Sequence, residues 1–282
     1  MDKEARMDLA KGTAATKEFY DRQGWQPQDD GKLLDWALFA WGDSPVQNAL
    51  DLNRKRRICE MVRSGGLDII ELACGANPAV FLARECASYT AVDFLPAGLA
   101  KAKETLDRAG IPCETVEADI TNLPFYDERF DLAYSAQAIY HIDTAEGQAE
   151  AFNEAMRVLR PGGRAIFVLA NPFPILFPYR TFRRALAMTP GVKSLLNRLR
   201  RKPVLPYLPM PLGWMKRKLP KWGSVTITGY AISTVDFSRN VSEATGIGSL
   251  VWRAIAWLET KHPNLVARLG NYVIVVVDKK RA

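Results

Sequence analysis

A chain of 282 residues, 48% apolar and 24% charged, has core enough for one large domain or a domain with an elaborate cap. No uninterrupted apolar run reaches membrane-spanning length, since "YVIVVV" is strand-sized and "PFPILFP" is cut by prolines. Four cysteines without C-x-x-C spacing and two histidines, His141 and His262, argue against a Cys/His zinc site, so no metal is expected and the thiols read as reduced core residues.

The opening segment "MDKEARMDLAKGTAATK" has no apolar core of the secretory kind, so the expected location is the cytoplasm. Residues 1–60 read as a helical lid with an aromatic content high for a solvent-facing tail: Phe19, Tyr20, Trp25, Trp36, Phe39 and Trp41. Residues 61–170 then alternate. "LDIIELAC" predicts a strand, "PAVFLARECA" a helix, "YTAVD" a strand, and "PAGLAKAKETLDRAG" a helix ending at Gly110. "CETVEAD", "FDLAYS" and "GGRAIFVLA" predict three further strands, with the helix "EGQAEAFNEAMRVLR" before the last. Apolar strands alternating with amphipathic helices predict an α/β fold with a doubly wound, mostly parallel sheet.

Residues 171–230 break the rhythm with nine prolines and read as an insertion after the fifth strand, with a helix near Tyr179–Arg201 and irregular or strand structure near "SVTITGY". Charge changes there as well. The chain carries a formal +7, yet Ala155 to Val235 contains no Asp or Glu while holding Arg180, Arg183, Arg184, Arg200, Arg201 and Lys202 among its cations. Residues 231–282 read as a helix capped by Ser233 or Thr234 and the last strands of the sheet. "SLVWRAIAWLE" is ambiguous and is read as a strand; "NYVIVVVD" is the final strand.

In such a sheet, ligands sit beyond the carboxyl ends of the strands. The first strand ends in "ELACGANP": Gly75 allows a tight turn, Asn77 tolerates left-handed geometry, and Pro78 suits the first turn of a helix whose amino end offers N–H groups to an anionic ligand. Asp93 ends the second strand, where a carboxylate can accept both hydroxyls of a ribose. Asp119 closes the third, placed to receive an exocyclic amine, and Phe94 and Ile120 follow these acids as brackets for a flat base. A nicotinamide fingerprint would need glycine at Asn77 and Val80.

This ordered set resembles the class I S-adenosylmethionine-dependent methyltransferases, in the group that includes ubiquinone, sterol and natural-product enzymes. "ELACGAN" keeps Glu71 and Gly75 of the first motif, with Ala73 and Asn77 at its other glycine positions; "YTAVDFLP" and "EADITNLPFYDERFD" supply the ribose and adenine acids, and "VLRPGGRAIFV" the turn before the fifth strand. The resemblance covers about Leu67 to Leu169. It implies a seven-stranded Rossmann-like sheet, S-adenosyl-L-methionine as cofactor and S-adenosyl-L-homocysteine as product. The expected cofactor contacts are Tyr20, Glu71, Ala73, Cys74, Gly75, Asn77, Asp93, Phe94, Asp119, Ile120, Ser135 and Gln137. Tyr20 folds over the cofactor in this reading, or else packs its helix onto the sheet with Phe19 and Trp25.

"AYSAQAIYHI" after the fourth strand lines the junction between donor and acceptor in related enzymes, which makes His141 and Tyr140 the catalytic candidates. His141 is the natural proton acceptor; the alternative is that it caps or packs beneath the next helix. "NPFP" at Asn171–Pro174 is similar to a motif of amino-group methyltransferases but follows the wrong strand. The basic insertion is expected to bind a hydrophobic or anionic small-molecule acceptor or to rest on an anionic membrane as a peripheral contact. RNA binding and an ordinary solvated cap are the other accounts, and a catalytically silent scaffold is the rival from another functional class. The oligomeric state is not legible.

Overall fold

The computed structural model describes residues 13–20, 45–63, 65–83, 86–175, 205–232 and 248–281. Trp25, Trp36, Phe39, Trp41, the helix expected near Tyr179–Arg201 and the cap expected at Ser233 or Thr234 lie outside them.

The chain opens with α1 over residues 13–20. It continues through α2 (Pro45–Met61), β1 (Leu67–Leu72), α3 (Val80–Ala83), β2 (Cys86–Asp93), α4 (Pro96–Arg108), β3 (Cys113–Glu117) and β4 (Phe130–Ala136). A 3-10 turn over Ile139–His141 leads to α5 (Ala145–Arg157) and β5 (Leu159–Ala170). After the insertion come α6 (Leu212–Lys218), β6 (Gly223–Tyr230), α7 (Gly248–Lys261), α8 (Pro263–Leu269) and β7 (Tyr272–Lys279).

The strands form one seven-stranded sheet in the order β3-β2-β1-β4-β5-β7-β6. β1 to β5 pair in parallel, and β7 runs antiparallel to both β5 and β6. This is the doubly wound, mostly parallel α/β sheet that the sequence predicts. Its order reverses between β1 and β4, so the carboxyl tips of those two strands flank the ligand crevice.

Alternation on β1 sends Ile69 to one face and Ile70 to the other. Ile69 packs with Leu99, Ala102 and Leu106 of α4, Ile255 of α7, and Leu50 and Ile58 of α2. α2 therefore belongs to the helical layer of the sheet. Ile70 packs with Phe152 and Met156 of α5 and Met215 of α6.

One expectation is corrected. "SLVWRAIAWLE", read as a strand, is part of α7. Its β-branched and aromatic residues suggest a strand, but the buried positions Ile255 and Glu259 lie four apart, on one helical face. Glu259 is 1% exposed and accepts from Asn53 Nδ2 at 2.9 Å and from the Ala231 amide at 2.6 Å. Burial pushes its carboxyl up, against these hydrogen bonds and Arg57. Of the two structures expected near "SVTITGY", irregular or strand, the chain takes the strand: it is the edge strand β6, paired along its length with β7.

The cationic window also divides. Arg157 binds Glu154 and Asp127, Arg160 bridges Asp68 and Asp131, and Arg164 holds Asp278. These arginines neutralise acids of the core. A cavity of about 220 Å³ lined by Arg63, Asp131, Arg160 and Arg164 lies at the amino ends of the strands, away from the crevice.

Candidate functional site

Beyond β1 the backbone bends twice into left-handed geometry, with φ 54° at Ala73 and 56° at Gly75. Asn77, which tolerates such a conformation, does not adopt it; the turn falls nearer the strand end. At Ala73 the Cβ makes this bend cost about 1–2 kcal/mol. Gly98 in α4 abuts the same loop, since a Cβ there would stand 3.2 Å from the Gly75 carbonyl carbon. The Cys74 amide donates to Val92 O at 3.1 Å, which ties the loop to β2 and leaves the thiol buried.

Glu71 supports this loop from beneath. Its carboxylate accepts the Ala79 amide at 2.9 Å and the Tyr89 hydroxyl, and burial pushes it up to about 7 against both hydrogen bonds. The folded protein therefore holds a proton that the unfolded chain loses near pH 4.5. That contribution to stability is whole below pH 4.5 and disappears as pH rises through 7, on the order of 3 kcal/mol. Glu71→Gln keeps an acceptor oxygen without the charge. The melting-temperature difference between variant and wild type is expected to grow in the variant's favour from pH 5 to 8; a constant difference refutes this titration.

At the β2 tip, Asp93 is 4% exposed and accepts the Gly75 amide on Oδ2 at 2.8 Å and the Leu95 amide on Oδ1 at 2.9 Å. Two carboxylate oxygens offer about four acceptor positions against the amides of Gly75, Leu95 and Phe94, which leaves acceptor capacity for a ribose. Burial raises its affinity for protons, opposed by these backbone bonds and by Lys17.

At the β3 tip, Asp119 accepts the Thr121 amide at 2.9 Å and hydroxyl at 2.8 Å on Oδ1. Thr13 of α1 donates to its Oδ2 at 2.8 Å. Ile120 is 4% exposed, within the core, and Phe94 is half-buried with Lys17 Nζ 5.9 Å from its ring centroid. α1 thus reaches three tips: Thr13 meets Asp119, Lys17 meets Phe94, and Thr16 donates to the His141 carbonyl at 2.5 Å. Thr13, Thr16 and Lys17 share one helical face within about 6 Å of rise, so the tips of β2, β3 and β4 face one space roofed by α1. On α1, Phe19 is buried and packs edge-on against the half-buried Tyr20 at 5.3 Å.

The β4 tip supplies orphaned polar atoms. Ser135 Oγ and Gln137 Nε2 are buried without a hydrogen-bond partner, and Gln137 sits at φ 59°. Buried polar atoms need partners, and these two lie at the switch point, where a polar cofactor would supply them. Together with the open lone pairs of Asp93, they fit a nucleoside bearing an amino-acid tail.

Tyr140 and His141 follow on the 3-10 turn. His141 is half-buried, and its Nδ1 lies 2.6 Å from the Pro206 carbonyl. A carbonyl only accepts, so Nδ1 carries the proton and Nε2 keeps its lone pair. Burial holds the ring below the ordinary histidine range, opposed by that hydrogen bond, so it is neutral at pH 7. Tyr140 is 5% exposed, its ring 5.4 Å from Tyr207, and burial pushes its hydroxyl well up.

The chain returning from the insertion is stitched over this turn. Leu208 N donates to Tyr140 O at 2.8 Å. Gln148 Nε2 spans the seam, donating to Ile142 O at 2.9 Å and Leu208 O at 2.7 Å. Sequence reading missed Gln148, although a signal was present: it is a polar residue in the buried stripe with Ala151, Phe152 and Ala155. Thr13, Thr16 and Lys17 carried no such signal. Gln148→Leu is expected to lower stability by about 2 kcal/mol, read as a drop of about 4–8 °C in melting temperature; an unchanged melt means that the seam contributes nothing. The "NPFP" asparagine is spent structurally, Asn171 Nδ2 donating to Arg268 O at 3.1 Å and Gly270 O at 2.8 Å.

Residues 70–167 match the family model described as a methyltransferase domain. A phthiotriol/phenolphthiotriol dimycocerosates methyltransferase of Mycobacterium tuberculosis is 34% identical over 142 residues, 49% of this chain and 49% of the relative. The chain thus spans about half the length of the curated relatives it matches. The N-methyltransferase NodS of Bradyrhizobium japonicum WM9, solved with S-adenosyl-L-homocysteine, aligns with TM-score 0.56 at 15% identity, over 94% of this chain and 98% of that one. The cyclase SpnF aligns with TM-score 0.52 at 18% identity, over 92% and 87%. A cyclase on this architecture means that the fold alone leaves the reaction to the site.

Proposed function

We propose that this chain, which carries a methyltransferase domain of the class I S-adenosylmethionine-dependent fold, transfers a methyl group from S-adenosyl-L-methionine to a small, lipid-like acceptor. What supports the reading is that Asp93 and Asp119 lie at the ends of neighbouring strands β2 and β3, that α1 lays Thr13 on Asp119, and that Ser135 Oγ and Gln137 Nε2 at the end of β4 are buried without hydrogen-bond partners.

The bound cofactor supplies a sulfonium methyl that is electrophilic without further activation. In this reading Asp93 accepts the ribose hydroxyls, Asp119 takes the adenine amine on Oδ2, and the Gly75 loop accommodates the tail. Ser135 and Gln137 bind its polar groups. The Nε2 of His141 takes the acceptor's proton, while Pro206 holds the ring in the tautomer that leaves that nitrogen unprotonated. Burying the reacting groups beneath α1 and the returning insertion excludes water, and orientation can supply about 7–11 kcal/mol of the barrier. The lipid-like acceptor is supported by the relatives' names and by the apolar residues at the cap root, Phe173, Ile175, Tyr207 and Leu208, which are all exposed.

Calorimetry with S-adenosylmethionine and S-adenosylhomocysteine tests the cofactor, and transfer of radiolabelled methyl into lipid extracts tests the acceptor class. Failure to bind either nucleoside overturns the enzyme reading and leaves the scaffold. Label entering RNA but not lipid overturns the acceptor.

A further inference from the structure

α7 and α8 expose an apolar stripe that the sheet does not use. Leu250 is 66% exposed, Trp257 56% and Leu265 46%. On α7, Leu250, Ala254 and Trp257 follow i, i+4, i+7 spacing on the face opposite the buried Ile255 and Glu259. Trp257 is braced across the bend between the helices by His262, whose ring meets it edge-on at 5.3 Å. This surface continues into the root of the insertion: Ile175 N donates to Leu269 O at 2.8 Å, and Phe173 and Ile175 are 70% and 51% exposed. The apolar strip therefore reaches the carboxyl end of the sheet, where the crevice opens.

Its rim is cationic. Arg253, Lys261 and Arg268 are exposed on the two helices, and no described acid forms an ion pair with them. Glu259, the single acid in α7 and α8, is buried and bonded to Asn53 and Ala231. We propose that this face docks on an anionic lipid bilayer, with the apolar residues in the interface and the cations at the headgroups. Leu, Trp and flanking basic residues on an exposed helix are what such a surface binds. A second copy fits worse, because a self-complementary contact would set Arg253, Lys261 and Arg268 against their own images. Nucleic acid would satisfy the cations but gain little from Leu250, Leu265 and Ile175, which offer no ring for stacking. The inference deepens the lipid-acceptor reading, since docking would bring the crevice to a membrane-resident substrate.

The test is vesicle flotation of the full chain with phosphatidylglycerol–phosphatidylcholine mixtures and with pure phosphatidylcholine. Wild type is expected to float with the anionic vesicles, and less so as salt rises. Leu250→Ser with Trp257→Ser, and separately Arg253→Glu with Lys261→Glu, are expected to cut partitioning about tenfold or more. Melting temperatures measured alongside must stay near wild type. Wild-type protein that ignores anionic vesicles, or variants that float equally well, overturn the proposal. So does a variant whose only change is in oligomeric mass or in RNA binding. S-adenosylhomocysteine calorimetry on the same proteins separates the two claims, because lost flotation with intact nucleoside binding concerns this face alone.

Discussion

Asp93→Ala is expected to weaken S-adenosylhomocysteine binding by about 10²–10⁴-fold. Two hydrogen bonds to a charged acceptor contribute about 1.5–3 kcal/mol each, and tenfold corresponds to about 1.4 kcal/mol. The same carboxylate anchors the Gly75 and Leu95 amides, so the variant also loosens the loop that receives the cofactor tail. Asp93→Asn separates the roles: its remaining oxygen can serve one amide and one ribose hydroxyl, and an intermediate loss of affinity is expected. Calorimetry decides. Unchanged affinity in the alanine variant removes Asp93 from the cofactor site and takes the nucleoside cradle with it.

His141→Ala is expected to reduce kcat/KM by about 10²–10⁴-fold, the usual contribution of a positioned general base, while leaving S-adenosylhomocysteine affinity unchanged. The wild-type rate should rise with pH through a midpoint below 6.5, because burial disfavours the imidazolium, and this limb should vanish in the variant. His141→Asn is the sharper probe. Its amide can still donate to the Pro206 carbonyl, as Nδ1 does, but it cannot accept a proton at Nε2. Restored activity in the asparagine variant would make His141 a strap residue and not a base.

The two predictions differ in how visible their residues were beforehand. Asp93 is legible because a strand's end is a local event: an apolar run stops at one acid, and parallel winding puts successive stops at one edge. His141 was visible as a candidate, but its tautomer was not, because Pro206 lies 65 residues away in a proline-rich stretch without local periodicity. α7 misled for a related reason. Its β-branched and aromatic residues suit a strand, while its inward face includes Glu259, a charge that only its partners on α2 and at Ala231 make tolerable there. Local preference marks Gly75 and Asn77 as residues that tolerate a left-handed bend, and the chain uses Gly75 but places the other bend at Ala73, whose side chain carries no such signal.

By itself the sequence determined the alternation of strands and helices, the acids at the tips of β2 and β3, and the glycine turn after β1, since each depends on neighbours within a few residues. Tertiary structure alone decided that α1 lays Thr13 on Asp119 across 106 positions. It also decided that Gln148 clamps Leu208 across 60 and that β6 joins the sheet edge. Such contacts follow from how packed layers meet, and no local period or propensity encodes which distant backbone carbonyl a buried side chain will reach.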